Sequence, residues 1–381
     1  MASEPEILIA GGGIAGLSTA VALQRQGRSS LVLERTPALT GIGAGISLWP
    51  NAMAALDRLG VGNVIRAHGG TLASGGVRRP DGKWLRTVPP GTLERAVGGS
   101  IVTIRRAHLI SALASELDQG VLRLGAHVVG CEKGTDQVEV ALADGSSVVG
   151  GALIGADGVR SMVARSLDPD LTFRYAGYTA WRGVADLAIG RTEPSETWGP
   201  GGEFGFFPLP EGCTYWFATA NVGQGQQAPD SERAELERRF SGWHQPIGEL
   251  LAATTPGEVI RHDILDRSMP RQWSQGNVTV VGDAAHPMRP HLGQGGCQAL
   301  EDAVVLGECT VQHARLSSAF SEYEERRRRR VQKVVARSVA PGRLVQYEGR
   351  LRGPLQRLAC RVPLRLTLGQ LASIAGADGW R

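Results

Sequence analysis

The sequence predicts an α/β protein: a Rossmann-like dinucleotide-binding domain, an interleaved antiparallel-sheet domain, and helices at the C-terminal end. Three observations predict it. The apolar run Ile7-Leu8-Ile9-Ala10 leads directly into Gly11-Gly12-Gly13-Ile14-Ala15-Gly16, a G-x-G-x-x-G turn that opens a helix. Two further strand ends carry glycine beside aspartate, at Gly155-Ala156-Asp157-Gly158 and at Gly282-Asp283-Ala284-Ala285-His286-Pro287. Between those two lie alternating, aromatic-rich runs of the kind that build an antiparallel sheet with one covered face.

Glu6 to Arg35 reads as one βαβ unit, with a helix over Leu17 to Gln26 ended by Gly27 and a second strand over Ser30 to Leu33. Gly11 makes the turn, Gly13 lets the backbone approach a pyrophosphate and Gly16 permits helix–strand packing. Glu34, at the end of the second strand, is placed to accept from ribose hydroxyls. A glutamate there rather than an arginine suits an unphosphorylated ribose, such as the adenosine of FAD or NAD.

The next segment, Gly41 to Asn51, has alternate glycines, Gly45 among them, that leave one face bare enough for a flat cofactor to slide along. Asn51 is expected to cap a helix over Ala52 to Leu59. Asp81-Gly82 marks a surface hairpin, and Arg106 sits where the strand Ile101 to Arg105 runs into a helix. A hairpin around Asp144-Gly145 precedes the strand Ala152 to Ile154. Tyr175 to Val184, Glu203 to Pro208 and Thr214 to Thr219 read as strands. Alternation puts Glu203, Gly205 and Phe207 on one face and Phe204, Phe206 and Pro208 on the other, with Tyr215 and Phe217 likewise opposite Trp216 and Ala218. Alternation does not say which face looks at the site. The apolar run before Val281 puts Asp283 at a strand's carboxyl end, where open α/β sheets bind ligands. After it, Gly293-Gln294-Gly295-Gly296 offer backbone N–H groups and a helix N-terminus to a negative charge.

These elements divide the chain into a discontinuous nucleotide domain (1–72, 98–174 and 270–325), a sheet domain (73–97 and 175–269) and a helical tail (326–381). With 381 residues, 42% of them hydrophobic, the chain buries a full core. The 52 glycines are roughly twice usual usage and imply many tight turns or close backbone approaches to a ligand. A net charge of +4 with dispersed arginines argues against nucleic acid as a partner, and no signal peptide or membrane-spanning run is visible. Five scattered cysteines without metal spacing fit a reducing cytoplasm. The run Arg326 to Arg330 reads as a solvated helix face.

The three ordered motifs, Gly11 to Gly16 with Glu34, Gly155 to Gly158 and Gly282 to Pro287, resemble those of the single-component FAD-dependent aromatic hydroxylases and epoxidases of the p-hydroxybenzoate hydroxylase type. Within that group the sequence is most similar to the zeaxanthin epoxidase, salicylate hydroxylase and urate hydroxylase branch. The resemblance runs from about Pro5 to Arg330. It implies that Gly11, Gly13, Ile14, Ala15, Gly16, Glu34, Arg35 and Arg106 hold the adenosine and pyrophosphate of FAD. It implies that Asp157 and Gly158 serve both FAD and the pyridine nucleotide, and that Gly282 and Asp283 hold the ribityl chain. Pro290, Gly293, Gly295 and Gly296 would lie against the flavin ring, and Gly43 to Gly45 on the loop that the ring passes. NADPH or NADH would be the electron donor and O2 the co-substrate, the oxygen passing from a C4a-hydroperoxyflavin to an aromatic ring or polyene. The enzyme is expected as a cytoplasmic monomer or homodimer.

Arg182, Tyr215 and Pro290 are the candidate catalytic residues: Arg182 to pair with a phenolate or other anion, Tyr215 to orient the substrate, Pro290 to border the ring. Arg182 has a plainer reading as an ion-pair member and Tyr215 as a core filler. His286 is expected to be structural, with no carboxylate partner apparent in the sequence, and His291 lies either against the substrate or on the surface. Urate hydroxylases carry a substrate-binding arginine in the strand that here reads Glu203-Phe204-Gly205-Phe206; its absence points to a more apolar substrate. A flavin oxidase or dehydrogenase on the same fold, or a flavin-binding protein without turnover, is the alternative. The intact Asp157-Gly158 favours the monooxygenase over an oxidase.

Overall fold

A computed structural model describes residues 6–39, 44–190 and 193–377. Gly41 to Gly43 of the glycine-alternating segment lie outside the described residues. Two sheets dominate. The first has six strands in the order Ser274–Gln275, Val278–Val280, Ala152–Gly155, Ile7–Ala10, Ser30–Glu34, Leu122–Leu124, all parallel except the two-residue edge. Ile7, Leu8, Ile9 and Ala10 are wholly buried, as a parallel strand covered on both faces requires. The helices Ile14–Arg25 and Gly295–Gln312 pack together over this sheet.

The second sheet has seven strands, in the order Ile260–Arg267, Phe173–Ala185, Thr214–Ala220, Gly202–Pro208, Ser195–Gly199, Gly75–Arg78, Trp84–Val88. One face buries Trp181, Phe204, Phe206 and Trp216 against the helices Glu232–Arg239 and Ile247–Ala252. Burying each such side chain contributes roughly 1.5–3 kcal/mol, so this face is fixed to the helices. The opposite face carries Arg182, Glu203, Phe207, Tyr215 and Phe217, and it is the one that meets His291, through Glu203, and Gly45, through Tyr215.

Several local expectations shift. The first helix starts at Ile14, inside the glycine motif, rather than at Leu17. Asn51 does not cap its helix, which spans Pro50–Arg58 after Trp49; its amide instead donates to Gln294 Oε1 at 3.0 Å and Glu301 Oε1 at 2.7 Å. Proline at the first helical position supplies the start, since its missing N–H costs nothing there. A single helix runs from Leu316 to Val345, across the position where the tail was expected to begin, and two shorter helices follow, Arg352–Arg361 and Leu364–Ala375.

Candidate cofactor and substrate site

Parallel pairing decides where the motifs meet. Ala10 is in register with Leu33 on one side and Gly155 on the other, and Gly155 with Val280. Gly11, Glu34, Asp157 and Gly282 therefore emerge along one carboxyl edge, at the point where the strand order reverses.

The glycines there differ in what surrounds them. A Cβ on Gly11, at φ +105°, would lie 2.5 Å from the Ala156 carbonyl oxygen, and one on Gly16 would lie 1.8 Å from that of Gly11. These two hold strand, turn and helix in backbone contact. A Cβ on Gly13 or on Gly158 would meet no atom within 4 Å. Backbone packed tightly on one side and open on the other makes a cradle for a phosphate-bearing ligand. A Cβ on Gly282 would come within 2.8 Å of Ala15, and one on Gly296 within 3.5 Å of Ile14, so the first and third motifs interlock.

Glu34 spans the cradle. Its Oε2 accepts from the Gly12 N–H at 2.6 Å, and its Oε1 accepts from the Thr36 N–H and hydroxyl, both at 2.9 Å. A carboxylate has about four acceptor sites, so Oε2 retains one for a ribose hydroxyl. Arg35 beside it is exposed. Asp157 Oδ2 accepts from the Met162 N–H at 2.7 Å, while its Oδ1 is buried without a partner; burial raises its pKa. Asp283 is the one exposed residue between Val278 and Pro287. A Cβ on Gly295 would lie 3.7 Å from its Oδ1, at the positive end of an 18-residue helix. Gly293, at φ +60°, closes the single turn Pro290–Leu292 that leads into that helix.

Sequence reading passed over Arg267. Its Nη2 donates to the carbonyls of Asp283 at 2.8 Å and Ala284 at 2.6 Å, while its Nε and Nη1 are buried without partners. Burial lowers its pKa to about 10, against the opposing charges of Asp283 and Asp157. Buried polar atoms are nearly always paired. Three orphans on Asp157 and Arg267 along one glycine-lined edge fit a polar cofactor bound there. No motif could have found Arg267, because it ends an ordinary strand and reaches the site only by pairing of Phe173 with Arg267.

Behind the edge lies a buried charge network. Asp302 Oδ2 accepts from the Gly282 N–H at 2.9 Å and lies 2.5 Å from His286 Nε2; its Oδ1 accepts from Arg327 Nε at 2.7 Å. Arg327 also pairs with Glu301, which Arg330 Nε holds at 2.8 Å. His286, Glu301 and Asp302 are wholly buried. Two expectations are corrected. His286 does have a carboxylate partner, and the arginine run is not one solvated face: Arg327 and Arg330 turn inward while Arg326 and Arg329 stay exposed. Residues 327 and 330, three apart, share the side of their helix that faces Gly295–Gln312. Burial would raise Asp302, but His286 and Arg327 outweigh it and hold its carboxyl down at about 2.

On the second sheet, Phe207, Tyr215 and Phe217 form an aromatic row with ring centroids 6.0 to 6.4 Å apart. Tyr215 rests on the backbone at Gly45, since a Cβ there would lie 2.4 Å from its ring. Burial raises the Tyr215 pKa, against the charge and hydrogen bond of Arg182 and the charge of Arg106. Burial lowers that of Arg106, with Asp283 opposing and Arg182 adding to the fall. Arg106, Arg182, Tyr215 and Asp283 thus form one electrostatic group joining the two sheets. Pro290 opens the turn Pro290–Leu292. The His291 side chain points inward, 3% exposed: its Nδ1 lies 3.1 Å from Glu203 Oε1 and its Nε2 3.0 Å from the Tyr178 hydroxyl. Glu196 is pushed up to about 7 by burial and the charge of Glu203. Among the described residues, no cluster of three or more His, Cys, Asp or Glu is placed to hold a metal, and no helix is long and apolar enough to cross a membrane.

Comparison with known proteins agrees with this geometry. Residues 4–338 match the family model described as an FAD binding domain. The chain is 45% identical over 344 residues to the aurachin C monooxygenase/isomerase of Stigmatella aurantiaca, covering 90% of each. It is 33% identical over 350 residues to the 2-heptyl-3-hydroxy-4(1H)-quinolone synthase of Pseudomonas aeruginosa, again covering 90% of each. The structure of Klebsiella pneumoniae HpxO complexed with FAD and uric acid superposes with a TM-score of 0.90 at 29% identity, covering 98% of this chain and 97% of that one. The chain belongs to the FAD-binding-domain family and is an FAD-dependent monooxygenase.

Proposed function

We propose that this enzyme inserts one oxygen atom of O2 into a fused aromatic heterocycle bearing an apolar side chain, with NADPH or NADH as electron donor. The observation that carries the substrate class is the face of the second sheet turned away from its covering helices: a row of three aromatic rings with Arg182 beside it and no arginine among residues 203–206. Flat aromatic side chains favour a flat ring by offset stacking, and a single cation favours a hydroxyl or oxo group that carries negative charge. The Pseudomonas relative is named for a quinolone with a heptyl chain. That name supports a substrate of similar shape.

FAD, when bound, supplies the redox chemistry: it accepts hydride from the pyridine nucleotide and, once reduced, activates O2. The protein's residues do the rest. Residues 1–72, 98–174 and 270–325 hold the cofactor, residues 73–97 and 175–269 the substrate. In this reading Gly11, Gly13, Ile14, Ala15 and Gly16 seat the pyrophosphate at the helix N-terminus, Glu34 binds the adenosine ribose, and Arg106 neutralises phosphate charge. Asp157, Gly158 and Arg267 close the middle of the cofactor, and Gly282 with Asp283 takes the ribityl hydroxyls. Pro290, Gly293, Gly295 and Gly296 border the ring and present a helix dipole to the negative charge of the reduced state. Arg182 and Tyr215 orient the substrate, and the aromatic row excludes water from it.

The test is the visible absorption spectrum of the purified protein, then NAD(P)H consumption with a panel of alkyl quinolones, phenols, indoles and polyenes. Oxidation accelerated by the quinolones, with a singly oxygenated product, is the expected result. Acceleration by polyenes alone would overturn the substrate class. Asp283→Ala is expected to weaken FAD binding by about 10-fold or more, the loss of one or two hydrogen bonds to a charged group. Normal FAD affinity in that variant would remove Asp283 from the site. Arg182→Met is expected to lower kcat/KM about 10–100-fold while leaving flavin content unchanged. An unchanged kcat/KM would leave Arg182 a structural residue.

A further inference from the structure

The helix Arg352–Arg361 is amphipathic in the wrong sense for a packed helix. Leu351, Leu355, Leu358 and Val362 follow helical spacing and form one stripe, and they are 61%, 40%, 64% and 43% exposed. Gln356, a polar residue, is the buried one. Leu366, at the start of the next helix, continues the apolar surface at 54% exposed. An apolar stripe of this length facing outward on a folded protein marks a contact surface.

Charge says what the surface contacts. From Gly349 to Ala377 the sequence has five arginines, Arg350, Arg352, Arg357, Arg361 and Arg365, and no aspartate or glutamate. Among the described residues none of the five has an ion-pair partner. All but Arg352 are exposed. On a helical projection Arg357 and Arg361 flank the stripe on one side and Arg352 on the other. A second copy of this chain would fit such a face poorly, because a two-fold contact sets the same patch against itself and brings arginines together. An apolar centre bordered by unpaired arginines suits an anionic bilayer, with leucines in the acyl boundary and guanidinium groups at the phosphates.

We propose that the helix Arg352–Arg361, with Leu366, docks this enzyme onto the surface of an anionic lipid bilayer. The helix packs against the strand Trp84–Val88 at the edge of the substrate sheet, where Arg86 bonds the Val362 carbonyl and, at 3.2 Å, the Thr367 hydroxyl. Docking therefore places the substrate sheet beside the membrane, where a molecule with an apolar tail is concentrated. The docking itself does not depend on the substrate class argued above.

The experiment is flotation of the full-length, flavin-loaded protein with vesicles of phosphatidylcholine alone or of phosphatidylcholine mixed with phosphatidylglycerol, in low and high salt. Binding to the phosphatidylglycerol vesicles, weakened by salt, is expected, with little binding to phosphatidylcholine alone. Leu355→Ser with Leu358→Ser, and separately Arg357→Gln with Arg361→Gln, are each expected to lower the partition coefficient about tenfold. Flavin content should stay unchanged, since these side chains are exposed. Equal binding to both vesicle types, or variants that bind as well as the parent, would overturn the proposal. So would a stable dimer in solution that Leu355→Ser with Leu358→Ser dissociates.

Discussion

Replacing Arg327 with methionine is expected to destabilise the protein by about 3–5 kcal/mol, because it leaves two wholly buried carboxylates short of the cation they share. The guanidinium joins Glu301 and Asp302, which lie on the preceding helix, and no water reaches the pair to take its place. The loss should carry to the site, since Asp302 also accepts from the Gly282 N–H, the residue before Asp283. The pH dependence has a definite sign. Asp302 is held at about 2, below the ordinary 3.8, so its contribution is complete above about pH 4 and is lost as pH falls through the interval between these values. Denaturant melts of parent and Arg327→Met from pH 7 to pH 3 check both statements. If the two proteins were equally stable at neutral pH, the network would not be a structural support.

That network shows where sequence reading stops. Glu301, Asp302 and Arg327 are visible as letters, yet nothing local reveals that residues 25 apart on two helices face each other in the dry interior. Five consecutive arginines look solvated by composition, and the helix period alone turns two of them inward. His286 likewise acquires Asp302 only through the third dimension. What was legible is the part encoded by backbone. Glycines at a strand end, an acid at the end of the next strand and alternating aromatics announce their geometry, because each residue type is needed for a conformation or a close approach. The faces of the second sheet were assigned correctly as pairs, but choosing the face turned toward the site took the helices that cover Trp181 and Phe204. Arg267 lay beyond reach for the same reason as Arg327.

The glycines of the first motif have different jobs, and substitution separates them. Gly16→Ala places a methyl group 1.8 Å from the Gly11 carbonyl oxygen, so helix and turn must part and the fold itself suffers. Gly13 adopts φ −78° and ψ −170°, extended backbone open to any residue, and its Cβ would stand free of other atoms. It is also the N-cap of the helix Ile14–Arg25, a position where aspartate is favoured over glycine by a few tenths of a kcal/mol. Gly13→Asp is therefore expected to leave the flavin-free protein as stable as the parent or slightly more so. The same carboxylate would stand where the pyrophosphate is proposed to bind, and juxtaposed like charges cost several kcal/mol. FAD affinity should fall about 100-fold or more, read as the ratio of flavin to protein absorbance after reconstitution, with unchanged unfolding of the apoprotein. A Gly13→Asp protein that binds FAD like the parent would show that the open space above this glycine is not the pyrophosphate site. A variant that fails to fold would instead show that Gly13, like Gly16, is held by packing.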